Sequence, residues 1–261
     1  MADLSSQSPL VEMFRRGEVP DDVRMMAAKG ALAPRASEQL ALLVILATDR
    51  DAAIRQEAEK TIEKLPPAAV AAFLARSDAG QEVRAFFKAK GIEPAPVPAS
   101  DTAAGEPLLE TDEGDPGPPR DDENGRPRLL ASLSVTDRIK VALRGRREER
   151  AILVRDPNRL VASAVLSSPR LTDEEVEAFA RMSNVSEDVL RTIGSTRRWS
   201  SKHQIAVALA RNPKAPLAVS LPLVPLLQER EIKLIANDRN LPEGLRLQAR
   251  KFMLAGQARR R

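Results

Sequence analysis

The 261-residue sequence predicts an all-α protein, an α-solenoid of short helix pairs arranged as two modules joined by a disordered acidic linker. Three observations carry that expectation. Hydrophobic residues make up 43% of the chain but aromatics only 3%, with one Trp and no Tyr. Ala, Leu and Val therefore build the core, which suits close helix packing better than a β-sandwich. Strand signals are weak: the Asn124-Gly125 pair sits in a polar stretch instead of joining two alternating strands. Finally, one recipe for starting a helix recurs at nearly constant spacing along the C-terminal half.

That recipe is clearest at Leu171-Thr172-Asp173-Glu174-Glu175-Val176. Thr172 is an N-cap whose hydroxyl accepts from the Glu175 amide while Glu175 reaches back, a capping box, and Leu171 and Val176 form the hydrophobic staple beside it. Val185-Ser186-Glu187-Asp188-Val189-Leu190 repeats the pattern with Val189 in place of the Glu, so the box is half made. Acids in both first turns complement the helix dipole. Ser201 with Gln204 offers a further box, and Pro157, Pro216 and Pro242 each stand at the start of a helix. Starts at 157, 172, 186, 201, 216 and 242 are spaced 15, 14, 15, 15 and 26, and "QEREIKLIA" supplies a helix within the last gap. Helices of about ten residues are marginal alone in water. Stacked in pairs of roughly 28 to 30 residues, they bury a shared core, as solenoid repeats do.

Residues 93 to 125 carry ten acids against one Arg and are rich in Pro and Gly, with Leu108 and Leu109 as the bulky apolar pair. Such a segment buries too little to offset its ordering entropy, so 93–128 is expected to be a disordered linker. It would act as a solubilising spacer or fold back to shield a basic domain. The flanking modules are expected at 7–92 and 129–255, with a basic tail at 256–261. The first is charge-balanced, whereas residues 126 to 261 carry 27 basic against 14 acidic side chains. In the first module, helix starts fall near Pro20, Ser37, Asp51, Pro66-Pro67 and Gln81.

The stretch "ATDRDAAIRQEAEKTIEKL" resembles the second helix of HEAT repeats through Asp51, Arg55 and Ala58. The Asn-Pro-punctuated units of the C-terminal half resemble leucine-rich-repeat-variant solenoids. Residues 138 to 255 are also similar to bacterial helical-repeat proteins, through "RIKVALRGRREERAILVRDPNRLVASAVL" and the sequence that follows. These resemblances imply a binding surface and no particular chemistry.

Several function classes lack residues. The absence of Cys removes disulfides, thiolate zinc ligands and thiol nucleophiles, and fits a cytoplasmic setting. The first 20 residues lack the pattern of a signal peptide. The longest strongly apolar run, "LALLVILA", falls far short of the roughly 20 residues of a membrane span. His203 is the sole His, with no visible nucleophile or orienting carboxylate. The cluster Asp173, Glu174, Glu175 and Glu177 reads as dipole compensation on a solvated turn, and no phosphate-binding glycine loop is present. No cofactor, metal site or catalytic residue is therefore expected, and nothing specifies an oligomeric state.

Arginines remain. Arg144, Arg146, Arg147 and Arg150 surround Gly145, Arg155 and Arg159 follow within helical reach, and Arg197 and Arg198 precede Trp199. Guanidinium groups suit carboxylates and phosphates alike. The expected function is a non-enzymatic adaptor or scaffold that docks an acidic protein partner on these arginines, with Trp199 as anchor. The alternative is a nucleic-acid-binding solenoid that uses the same arginines on phosphates. A helical-repeat enzyme of the DNA-glycosylase kind is the third reading, and it lacks a visible catalytic constellation.

Overall fold

The computed structural model describes residues 8–33, 35–101, 105–109 and 130–258. It is all-helical, with sixteen α-helices and no strand among the described residues. The chain divides into two compact units, Met1–Arg150 with Ser163–Arg170 and Ala151–Ala162 with Leu171–Arg261.

In the first unit, α1 (Pro9–Arg15), α2 (Asp21–Ala28), α3 (Ala36–Leu46) and α4 (Ala52–Lys64) pack on one another. They are followed by α5 (Pro67–Leu74) and α6 (Gln81–Ala89), and α6 lies against α3. The prolines and Asp51 start helices as expected: Pro20 caps α2, Pro67 opens α5, and the Asp51 carboxylate accepts from the Ala53 amide. Gly30, at φ 82°, turns the chain back after α2, a backbone angle few other residues adopt. α7 (Val135–Arg144) joins this unit through α2. Buried Arg24 on α2 pairs with Asp49 at the end of α3 and with Asp21.

The acidic segment is more ordered at its start than its composition predicts. The Ala95 and Ala99 amides donate to the Ala71 and Ala72 carbonyls at 2.9 and 2.8 Å. Arg76 donates to the Ala99 carbonyl and pairs with Asp101. Residues 106 to 109 bond to Ala36 and Gln39 at the start of α3. Helix carbonyls and one buried amide side chain thus hold a segment that has almost no core of its own. Residues 102–104 and 110–129 lie outside the described residues, as does the Arg259–Arg261 end of the basic tail.

α8 (Arg147–Leu153) and α9 (Arg159–Ser167) are each divided between the two units, at Arg150 and at Ala162. The second unit continues with α10 (Asp173–Arg181), α11 (Glu187–Ser195), α12 (Arg197–Ser200), α13 (His203–Ala210) and α14 (Leu217–Ser220). A 3-10 turn at Leu221–Leu226, then α15 (Glu229–Asn237) and α16 (Glu243–Ala258), complete it. The Thr172 capping box forms, and Ser186 accepts from the Val189 amide without its counterpart. At the start of α15 the reciprocal half of a box forms, with the Glu231 carboxylate accepting from the Gln228 amide at 2.8 Å. The Ser201 box does not form: Arg197–Ser200 coils into a short helix of its own, Ser201 ends it, and Lys202 precedes α13. Pro157 also lies before its helix, which begins at Arg159 after an Asp156–Asn158 turn.

Contacts in the second unit recur at a fixed offset. α10 packs on α13, and α11 on α14. Arg159 pairs with Asp188, Asp173 with Lys202 and His203 with Glu231, at separations of 29, 29 and 28 residues. The buried Asn212 side chain donates to the Ala180 and Met182 carbonyls at 2.8 and 2.9 Å, closing the end of α10. Replacing Asn212 with Leu strands both carbonyls and is expected to lower stability by about 2 kcal/mol, measured by urea denaturation.

Glu38, on α3, is 5% exposed, and its Oε2 has no hydrogen-bond partner among the described residues. Burial pushes its carboxyl up to about 6, against the pull of the Arg35 guanidinium and the Ser8 hydroxyl. Because the folded-state value is raised, Glu38 lowers stability as pH rises from about 4.5 through about 6. Glu38→Gln should therefore match the wild type below that window. At neutral pH it should exceed the wild type by on the order of 2 kcal/mol, read from denaturation curves at both pH values.

Candidate functional site

The nine residues expected to meet a partner are not equivalent in the structure. Arg146, Arg147, Arg155, Arg159, Arg197 and Arg198 are exposed. Arg150 is only 4% exposed and turns inward: Nη1 donates to the Gly145 carbonyl at 2.7 Å and Nη2 approaches the Arg170 carbonyl. Arg144, half-buried at the end of α7, accepts at its carbonyl from Arg170. Gly145 does separate two helices, and a Cβ there would press on the Val141 carbonyl and the Glu149 carboxylate. Trp199 is 7% exposed and belongs to the core of the second unit, so its indole offers little surface to a partner. Arg144, Arg146, Arg147 and Arg150 lie in the first unit, and the other five in the second.

Within the second unit, several charges already have partners. Arg159 binds Asp188 at 2.9 Å, and Arg155 donates to the Ala151 carbonyl at 3.0 Å. The acids of α10 are equally engaged: Glu175 sits in the capping box, Asp173 pairs with Lys202 and Glu177 with Arg181. His203 Nε2 meets Glu231 Oε1 at 3.0 Å. Burial alone would raise the Glu231 carboxyl, but the Gln228 amide and the His203 ring outweigh it and hold the carboxyl below its ordinary value. Since that same carboxylate closes the cap of α15, His203 joins two helix starts. Among the described residues no group of three or more acidic or His side chains is placed to hold a metal ion, and no helix is long and apolar enough to cross a membrane.

What the structure adds is a groove of about 410 Å³ in the second unit. One wall comes from the end of α11 and from α12, with Arg191, Ser195 and Arg197. The other comes from α14 and the 3-10 turn, with Val219, Pro222 and Leu226. Gly194 sets how closely these walls approach, because a Cβ there would overlap the Val219 side chain. Pro222 and Pro225 keep the last segment from continuing as α-helix, which leaves Leu226 61% exposed at the rim. Among the described residues neither Arg191, Arg197 nor Arg198 has an ion-pair partner. An apolar wall facing such guanidinium groups can take an aliphatic side chain and a carboxylate together.

Of the residues singled out from the sequence, Arg197 lines this groove. Arg191 escaped notice because its importance depends on α11 meeting a helix that begins 26 residues further on. The one local sign was Gly194 inside a helix, where glycine usually has a packing reason.

Gly194→Ala should destabilise the chain by about 1–3 kcal/mol through overpacking. Adding Val219→Ala should restore much of the loss in the same urea titration. No protein-family model, curated protein or solved structure matches the chain, so the groove is interpreted from its own geometry.

Proposed function

We propose that the chain is a non-enzymatic α-solenoid adaptor that docks an acidic segment of a protein partner in the Arg191–Arg197 groove. The observation that carries this is the groove itself: exposed arginines on one wall face an apolar wall of Val219, Pro222 and Leu226. Interfaces gain most from an apolar centre flanked by well-placed charges, and arginine is enriched there. The carboxylates of the partner would bind the guanidinium groups, while one aliphatic side chain packs on the apolar wall.

Solenoid architecture is favoured by the offset of 28 to 32 residues between partners such as His203 with Glu231 and Asn212 with Ala180. A repeat of one helix pair has that length. For the HEAT-like reading of the first unit, Asp51 caps α4, Arg55 donates to the Arg50 carbonyl at 3.0 Å, and Ala58 is fully buried. The nucleic-acid reading draws on a different observation, the excess of basic residues in 126–261 with Arg146, Arg147 and Arg155 exposed. Phosphate binding would make affinity fall steeply with salt.

The test is affinity capture from a nuclease-treated native lysate, comparing the wild type with an Arg191→Glu/Arg197→Glu variant. A defined protein retained by the wild type and reduced at least tenfold with the variant is expected. Equal recovery on both would overturn the groove as the docking site. Loss of every partner on nuclease treatment would favour the nucleic-acid reading.

A further inference from the structure

The groove of the second unit offers more donors than its two arginines. Its polar wall holds Arg191, Ser195, Arg197, Ser200 and Ser201, and no Asp or Glu lines it among the described residues. The Ser195 hydroxyl is spent on the Thr192 carbonyl at 3.1 Å. Ser201 reaches the Arg198 carbonyl only at 3.5 Å, the far limit of a hydrogen bond. The Ser200 hydroxyl, half-buried on the same wall, makes no hydrogen bond among the described residues. Two guanidinium forks and two hydroxyls therefore remain as donors, opposite Val219, Pro222 and Leu226.

That donor set is larger than one carboxylate uses. A carboxylate is planar, and a single bidentate guanidinium engages both of its oxygens. A phosphate monoester presents three acceptor oxygens and carries about −1.5 to −2 charges near neutral pH. Two guanidinium charges with no acid lining the groove match that charge, and the third oxygen can meet a serine hydroxyl. The apolar wall adds a second requirement, an aliphatic group beside the anion. Inorganic phosphate has no such group, and each phosphate of a nucleic-acid backbone carries one charge on two free oxygens. A phosphorylated side chain next to a leucine supplies both the dianion and the aliphatic group.

On the reading of the groove as the docking site, we propose that the acid it receives is a phosphoserine or phosphothreonine of the partner segment, with an aliphatic residue beside it on the apolar wall. Docking is then conditional on phosphorylation of the partner, a charge change felt at Arg191 and Arg197.

Three fluorescent peptides, identical except for phosphoserine, serine or aspartate before one leucine, are titrated against the full chain by anisotropy. The phosphoserine peptide should bind at least about tenfold more tightly than the aspartate peptide, and the serine peptide more weakly than either. Because the second phosphate ionisation lies near pH 6, its affinity should rise between about pH 5 and pH 7, while the aspartate peptide changes little. Arg191→Gln/Arg197→Gln should abolish binding of both, and Ser200→Ala/Ser201→Ala should narrow the preference for phosphate. No binding of the phosphoserine peptide, or an affinity equal to that of the aspartate peptide, would overturn the phosphate assignment. Equal binding that is lost in the arginine variant leaves the acidic docking groove standing, whereas binding that survives it overturns the groove too. Should that variant fold poorly, the wild-type pH comparison decides, and a level affinity for the phosphoserine peptide refutes the proposal. Displacement of that peptide by inorganic phosphate or by oligothymidylate at equal phosphate concentration would put a bare phosphate in the groove and also overturn it.

Discussion

A helix of nine residues leaves its last four carbonyls without an intrahelical donor, nearly half of all it has. That constraint governs this protein, because most of its helices are this short. The recurring remedy is a side chain delivered by a later element. Asn212 closes α10, Ser168 donates to the Leu143 carbonyl of α7 at 2.7 Å, and Arg84 reaches the Leu74 carbonyl that ends α5. Arg250 does the same for the Ala236 carbonyl of α15. Each bond secures two elements at once: it satisfies the earlier helix and fixes the register of the later one. Apolar burial drives the stacking, and these polar closures make one stacking geometry better than its neighbours.

The same economy explains where binding surface remains. Arg150 and Glu175 were legible as charged residues, yet both are consumed inside the fold, one on carbonyls and one in a cap. Glu38 shows the opposite case, a buried acid with one oxygen unmatched. Surface capacity is left at Arg191 and Arg197, next to a segment whose prolines prevent regular helix and hold apolar side chains outward.

Helical class, helix starts and most caps could be read from the sequence, because those depend on neighbours within four residues. Thr172, Ser186, Asp51 and Pro67 act locally, and the structure uses them as their positions predict. Ser201 misled because the buried Trp199 draws Arg197–Ser200 into an additional turn, which a cap rule does not anticipate. The groove was not legible: Arg191 and Leu226 are 35 positions apart and meet only through the Gly194–Val219 approach. The acidic segment was judged by its composition, and composition is blind to a single receptive amide such as Gln39.

Trp199 has one consequence of a different kind. It is the lone indole in a chain without Tyr, and it lies buried in the second unit. Near-ultraviolet emission therefore speaks for that unit alone, while the first unit, whose aromatics are all Phe, melts in the dark. A fluorescence transition that precedes or follows the loss of far-ultraviolet helicity would time the two halves against each other without any label.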